Sequence, residues 1–388
     1  MKVAIITTHP IQYYAPWFRN ITQTSDIDLN VLYLWNFGVT QQKDPGFKTT
    51  FQWDVPLLEG YPYHFIENQS SDPGTHHFWG INNPGLESFL LNWKADALLM
   101  IGYSFYSMQR LMVSPALRKI PFLLRGDSHR LVAAGGIKRY VKDCITRLLF
   151  QRFSAFLFCG EANRNYFLNH GACESELFFC PHSIDSNQFN EQSSYEATKS
   201  LKRQWKVPES DIVLLFVGKF EEKKQPLELI EAFNQISTDR TSLVFIGSGS
   251  LKNEMLKKSG NNPKIRICEF SNQSEMPDIY RAADLVILPS LGSYETWGLV
   301  IQESLFCGTP VLVSDHVGCY QDLVASKEQG WVFQAGNLQS LKETLNRALS
   351  ELNSEGSRKV IQVDSIRTKY SYEQATHGLK TALESISR

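Results

Sequence analysis

The sequence predicts an α/β protein built from two Rossmann-like, doubly wound domains facing a cleft. Three observations carry that expectation. Short apolar runs rich in β-branched residues alternate with longer amphipathic stretches along almost the whole chain, which is the pattern of βαβ units. The alternation breaks once, over the polar stretch SNQFNEQSSYEATKSLKRQWKVP at 186–208, and then restarts. A length of 388 residues suits two or three domains at about 150 residues each.

In the first half, the runs at 3–7, 29–34, 97–101, 121–124, 155–159 and 177–180 read as strands. Most are apolar without alternation, as strands buried on both faces of a parallel sheet are. Helical spacing fills 84–94, 104–118, 135–153 and 161–170. The first domain is therefore expected over 1–185, followed by a linker at 186–208 that ends in a short helix. In the second half, strands are expected at 212–217, 243–246, 265–268, 285–288, 311–314 and 331–333. Helices are expected at 226–236, 250–258, 275–283, 298–307, 319–325 and 338–352, giving a second domain over 209–369. The last segment, 370–388, is helical in pattern. Ligands of open parallel sheets lie beyond the carboxyl ends of the strands, so the loops that follow strands are where function is sought.

Composition excludes several classes. With 39 Lys+Arg against 40 Asp+Glu and a net charge of -1, the chain lacks the basic excess that duplex nucleic acid demands, and no nucleic-acid partner is expected. No run approaches the roughly 18 apolar residues of a membrane span, and the opening MKVAIITTHP reads as a buried strand and not as a signal peptide. The seven cysteines, at 144, 159, 173, 180, 268, 307 and 319, are an odd number, widely spread, with no C-x-x-C. That usage suits reduced thiols in a cytoplasmic protein better than a disulfide frame or a zinc site.

The strongest chemical signal is ILPSLGSYETWGLVIQESLFCGTPVLVSD, at 287–315. A strand ends, a loop follows, and a helix is expected to start near Trp297 and Gly298, with Glu295 just before it and Glu303 within it. If that interval were fully helical, its eight residues would rise about 12 Å, comparable with the span from a sugar to a ribose across a diphosphate. One carboxylate could then hold sugar hydroxyls and the other ribose hydroxyls. The N–H groups of Thr296, Trp297 and Gly298 could meet the phosphate between them.

This region resembles the donor-binding domain of GT-B glycosyltransferases of the retaining family 4 type. The likeness rests on Glu295-x7-Glu303, on Cys307-Gly308-Thr309-Pro310-Val311 and on Gly330-Trp331-Val332-Phe333, and spans about 211–352. The first half is similar to the family's acceptor domain in strand order and in the PHSID segment at 181–185. The resemblance implies a cationic pair after the first strand of the second domain, and VGKFEEKKQP at 217–226 supplies Lys219 and Lys224. Two ammonium groups can stabilise a leaving diphosphate without a metal. Two departures concern the donor's surroundings: Gln225 stands where many relatives have Gly, and Thr296 and Trp297 stand where Gly or Pro and then Phe are common.

By that resemblance the protein is expected to move a sugar from a nucleoside diphosphate, UDP or GDP, to a hydroxyl of a glycan or lipid-linked acceptor. Configuration would be retained, with no metal and no cofactor beyond the donor, in surface polysaccharide biosynthesis. Glu295 would hold the donor sugar, Glu303 the ribose, and Lys219 with Lys224 the diphosphate. A donor phosphate oxygen would take the acceptor proton, so no protein nucleophile is required. The rival readings are a sugar-nucleotide epimerase of the same architecture and a non-catalytic nucleotide-binding scaffold.

Gly247-Ser248-Gly249 follows a strand, but Lys252 occupies the third glycine position of a dinucleotide fingerprint, so a tight turn is expected instead. Asp26-Ile27-Asp28 precedes a strand, at the wrong end of the sheet for a metal motif, and no metal site is expected. The loop from His9 to Trp17 follows the first strand. His9 and Tyr13 are candidates there for contact with an acceptor, aromatic packing of the first helix being the alternative. Arg125-Gly126-Asp127-Ser128-His129-Arg130 follows another strand. Asp127 or His129 could orient the acceptor hydroxyl, with His129 or Arg125 pairing with phosphate; a turn with an internal Asp–Arg pair is the plain alternative. The stretch 136–153 is a basic amphipathic helix, which either covers the sheet with its basic side in water or rests on anionic lipid at the inner face of the membrane. His64, His76, His77, His170 and His316 show no ligand spacing.

Overall fold

The structure is a computed structural model that describes residues 1–38, 42–43, 50–51, 54–132, 135–190, 195–236, 240–324, 329–353 and 363–387. Residue 325 of an expected helix, 191–194 of the expected linker and residue 388 lie outside these. The chain divides into two compact units. One comprises Met1–Gln42, Val55–Ser183 and Tyr370–Arg388, the other Lys43–Asp54 and Ile184–Lys369. Each is a Rossmann-like lobe with a parallel sheet between helices.

The strands in chain order are β1 (Lys2–Thr7), β2 (Asp28–Tyr33), β3 (Gln42–Lys43), β4 (Thr50–Phe51), β5 (Tyr63–Phe65), β6 (Ala97–Ile101), β7 (Phe122–Gly126), β8 (Phe153–Phe158) and β9 (Leu177–Phe179). They continue as β10 (Ile212–Val217), β11 (Thr241–Ile246), β12 (Ile265–Cys268), β13 (Leu285–Leu288), β14 (Val311–Ser314) and β15 (Gly330–Phe333). The first lobe's sheet runs β5-β2-β1-β6-β7-β8-β9 and the second's β12-β11-β10-β13-β14-β15; β3 and β4 pair apart from both. All recorded pairings in the two large sheets are parallel. In each sheet the winding direction reverses beside the lobe's first strand, between β1 and β6 and between β10 and β13. Those two reversals are the topological switch points where such sheets take ligands.

The unbroken apolar runs explain these central strands. Val3, Ala4, Ile5 and Ile6 are fully buried, with Ile5 in register with Val31 on one side and Leu99 on the other. In the second lobe Leu214 lies between Leu243 and Leu285. The helix Tyr372–Ile386 belongs to the first unit, where Leu379, Ala382 and Leu383 pack with Val3, Ile5, Trp17 and Phe18.

Three expectations are corrected. The helix expected over 104–118 is confined to Tyr106–Met112, because Ser114 precedes Pro115 and a residue before proline is pushed out of the α region. The segment 186–208 is more than a linker: Ser186–Asn190 and Tyr195–Gln204 are both helical and lie in the second unit. The strand β5 was not expected; its three residues are all exposed at the sheet's edge, so they carry no burial pattern to read.

Candidate active site

In the second lobe the two loops at the β10/β13 switch point are tied together. The backbone N–H of Leu291, after β13, donates to the carbonyl of Lys223, after β10, at 2.8 Å. Lys224 Nζ donates to Glu295 Oε2, and Ser290 Oγ donates to the same oxygen at 2.9 Å. Both partners of the ion pair are largely covered, at 17% and 14% side-chain exposure. Attraction between charges is stronger there than in open water, where an ion pair is worth little. Lys219 lies two residues beyond β10 and is half-buried. The turn that places it depends on Gly247: a Cβ there would sit 2.0 Å from the Gly218 carbonyl oxygen. Gly247-Ser248-Gly249 is therefore a close crossing of the β10 and β11 loops, with Phe220 N–H donating to Ser248 O at 2.9 Å.

The interval from Glu295 to Glu303 is not fully helical. The helix is Leu299–Phe306, and Gly298 precedes it with φ 96°, a conformation that costs other residues steric strain. The expected rise of about 12 Å over eight helical residues therefore does not apply. Thr296, Trp297 and Gly298 form the bend before the helix, braced where Gly318 N–H donates to Glu295 O and Cys319 N–H to Trp297 O, both at 2.9 Å. Trp297 is buried, and its Nε1 donates to Gln302 Oε1 at 2.8 Å; only its backbone is available for the anion-holding part expected of it.

Glu303 is 2% exposed. It accepts from Gln273 Nε2 at 2.9 Å and from Tyr280 Oη at 2.6 Å, two donors that orient a carboxylate in its charged form. Ser290, Gln273 and Tyr280 were missed by the sequence reading, as was His316, whose Nδ1 accepts from Gly292 N–H at 3.1 Å. Ser290 alone carried a usable signal, since it stands directly after a strand and its Pro289.

In the first lobe, His9 follows β1. Its Nδ1 is 3.0 Å from Thr8 Oγ1, and its ring meets Trp35 and Phe37 edge-on at 5.7 and 5.5 Å. Tyr13 is half-buried in the turn before the helix Ala15–Thr24. Arg125 is 1% exposed, donates to Tyr14 Oη at 3.0 Å and to the Pro181 carbonyl at 2.9 Å, and lies over the rings of Tyr14 and Trp17. Its guanidinium ties Tyr14 to the Cys180 and Pro181 carbonyls in the lobe's interior. Burial pushes the Tyr14 hydroxyl up to about 12, against the opposing pull of Arg125.

Asp127 and His129 separate. The Asp127 carboxylate is 38% exposed and lies 3.6 Å from His182 Nε2. His129 is buried, and its Nδ1 accepts from Leu131 N–H at 3.3 Å. The internal Asp–Arg pair weighed for this turn gives way to two others, since Arg130 pairs with Asp143. His182, in the PHSID segment after β9, was overlooked because its position follows a three-residue strand.

Residues 197–362 match the family described as Glycosyl transferases group 1. An uncharacterized glycosyltransferase of Methanocaldococcus jannaschii is 28% identical over 217 residues, 53% of this chain and 54% of that protein. The D-inositol 3-phosphate glycosyltransferase of Streptosporangium roseum is 30% identical over 46% of this chain and 42% of that one. The chain thus spans about half the length of the curated relatives it matches. Among solved structures, Anabaena HepE in complex with UDP superimposes with a TM-score of 0.72 at 16% identity, covering 99% of this chain and 100% of that one. Sucrose-phosphate synthase from Thermosynechococcus elongatus does so at 0.72 and 14%, over 100% and 99%. Residues 197–362 thus match the group 1 glycosyl transferases, and the chain's two lobes have the GT-B fold.

Proposed function

We propose that the protein transfers a sugar from a nucleoside diphosphate to a hydroxyl of a glycan or lipid-linked acceptor, with retention and without a metal, at the cytoplasmic face of a membrane in surface polysaccharide synthesis. The observation that carries this reading is the covered Lys224–Glu295 pair with Ser290, held between the loops after β10 and β13. A cation paired with a carboxylate at a sheet's switch point is a charge that an incoming diphosphate can take over. Lys224 and Lys219 then stabilise the leaving nucleotide as the glycosidic bond breaks. Glu295, released from Lys224, accepts hydrogen bonds from the donor sugar. Glu303, oriented by Gln273 and Tyr280, accepts from the ribose. A donor phosphate oxygen takes the acceptor proton, and Asp127 beside His182 orients the acceptor hydroxyl. UDP and UDP-glucose are bound in the HepE structures of the same fold, which supports a uridine donor.

The lipid-linked acceptor draws support from the helix Ile137–Phe150. Thr146 and Phe150 are its buried residues, while Ile137, Tyr140, Val141, Ile145 and Leu148 are exposed by 48 to 83%. Of the two readings weighed for this basic helix, the lipid-facing one draws support from the apolar side chains that stand in water interleaved with Lys138, Lys142 and Arg147, as on helices that lie in a membrane interface. Arg152 is not part of that face, since it stacks on Phe122 and donates to the carbonyls of Leu117 and Ile120. Among the described residues no helix is long and apolar enough to cross a membrane.

The test is a thermal shift across UDP, GDP, ADP and TDP, followed by a transfer assay with the sugar nucleotides of whichever base binds. A ligand at 100 times its Kd adds about 2.7 kcal/mol, enough to detect. One preferred nucleotide, with its shift reduced by Lys224→Ala, supports the donor site; no shift with any nucleotide overturns it.

A further inference from the structure

We propose that Asp72, His76 and His77 form a binding site for one divalent transition-metal ion, zinc in the first place, on the loop between β5 and β6. The sequence S-S-D-P-G-T-H-H-F-W-G shows no helical ligand spacing, but the loop's fold brings the three side chains together. Their ligand atoms all lie within 4.8 Å of one another. His76 Nε2 lies 2.9 Å from Asp72 Oδ2, and His77 Nε2 lies 2.9 Å from the Asp72 backbone carbonyl oxygen and 3.4 Å from the same Oδ2. Ligands at about 2.0–2.2 Å from a tetrahedral zinc stand about 3.4 Å from one another, so small adjustments suffice to close the site. With each ring proton on Nδ1, both Nε2 atoms present lone pairs, and the ion takes the place of the hydrogen bonds that now hold the cluster.

The frame around these residues is already built. Asn68 ties the loop's two ends, accepting from Ser70 N–H and Asn82 N–H at 3.0 Å and donating to Gly80 O at 2.9 Å. Gly74 N–H donates to Gly80 O at 3.1 Å. A Cβ on Gly74 would stand 2.5 Å from His76 Nδ1, and one on Gly80 would stand 2.2 Å from the Gly74 carbonyl oxygen. Only a loop without side chains at both places lets the His76 ring fold in over Asp72.

Two imidazoles and one carboxylate select for zinc, cobalt, nickel or copper over magnesium or calcium, which want an all-oxygen shell. Asp72 and His76 are exposed, so water completes the coordination. The three residues belong to the first lobe and the Lys224–Glu295 pair to the second. The loop also carries Phe78 and Trp79, and Trp79, 59% exposed, packs against Tyr106 with ring centres 4.7 Å apart.

The experiment is titration of the metal-free full-length protein with cobalt chloride, followed by visible absorption, then displacement by zinc in a calorimeter. The expected result is one ion per chain, a ligand-field band that zinc removes, and binding weakened about tenfold or more by His76→Ala and by His77→Ala. His377→Ala, which removes an exposed histidine from the helix Tyr372–Ile386, should bind as the wild type does. All three variants change exposed or half-exposed side chains, and thermal melting checks that each folds. Absence of the band, or equal binding by His76→Ala and the His377→Ala control, overturns the proposal. Neither result depends on whether the protein transfers sugar.

Discussion

Lys224 and Glu295 stand 71 residues apart in the chain and share an ion pair across the loops that follow β10 and β13. Because both charges are mostly covered, neither is idle in the unliganded protein, and a diphosphate must compete for the ammonium. Glu295→Gln removes both the competitor and a negative charge beside the phosphates. We expect this variant to bind free nucleoside diphosphate more tightly, by about fivefold for a pair worth ~1 kcal/mol. Its transfer rate should fall by about 100-fold or more as the sugar loses the charged acceptor. Calorimetry and steady-state rates on one preparation check both halves; weaker nucleotide binding would refute the competition.

Glu303 raises a different question, because its carboxylate serves the fold as well as the proposed ribose contact. Glu303→Ala strands the Gln273 amide and the Tyr280 hydroxyl in the interior, at a cost of about 1–3 kcal/mol for each unmet donor. Tyr280→Phe removes a single donor from the buried carboxylate and should cost about 1.5–3 kcal/mol. Urea unfolding distinguishes them. The ribose contact is isolated by comparing a nucleotide with its 2′,3′-dideoxy form: wild type should prefer the ribose, and Glu303→Gln should lose most of that preference.

His182 makes stability depend on pH. Burial first, then the Arg125 guanidinium, holds its imidazole below the ordinary 6.5, with Asp127 pulling the other way. The folded ring therefore takes its proton at a lower pH than the unfolded chain, which takes it near pH 6.5. The sign follows: stability is fully present above about pH 6.5, is lost as pH falls from there through the depressed folded value, and levels off below it. Urea midpoints measured from about pH 8 to pH 5 should fall for the wild type and fall less for His182→Gln. Parallel curves would show that another group sets the slope.

Gln225 holds φ 54° between the turn Glu222–Lys224 and the helix Pro226–Asn234. A left-handed conformation costs a side-chain-bearing residue roughly 1–2 kcal/mol, which gives a physical reason for the glycine common in the family at this place. Gln225→Gly loses the bond from Gln225 Nε2 to Glu222 O, an exposed contact of small worth. A net gain of about 1 kcal/mol in unfolding free energy is expected, and a loss would mean that the side chain matters more than the backbone.

How much of this was legible in advance follows from what each feature depends on. Central strands such as β10 and β13 were read to the residue, because burial on both faces leaves an unbroken apolar run. The Lys and Glu residues of the second lobe stood out because charged groups directly after such runs are conspicuous. Arg125 stood out for the same reason, but its partners, Tyr14 and two carbonyls from distant segments, could not be read from spacing along the chain. Gln273 and Tyr280 lie 30 and 23 residues from Glu303 and became visible only once β12 and β13 were assembled. The meeting of Asp72 with two adjacent histidines depends on glycines that let the loop cross itself, and periodicity has no signature for that.

The helix Ile137–Phe150 supplies the last prediction. Its amphipathic spacing promised a buried apolar face, yet Ile145 and Leu148 are 53% and 68% exposed, beside Lys138 and Lys142 in water. A face of that kind gains both by burying apolar area, at about 25 cal/mol per Å², and by meeting anionic lipid, at about 1 kcal/mol per basic residue. The two contributions respond to different changes. The protein should sediment with vesicles containing phosphatidylglycerol and not with neutral ones. Lys138→Glu with Lys142→Glu should abolish that preference, and raising salt should mimic it. Ile145→Asp with Leu148→Asp should release the protein from anionic vesicles even at low salt, while leaving its melting temperature and transfer to a soluble acceptor unchanged, since both side chains stand clear of the lobe's core. If the aspartate pair melts early, the face packs against the protein itself; if it still sediments, charge alone holds the protein to lipid and the apolar residues have another partner.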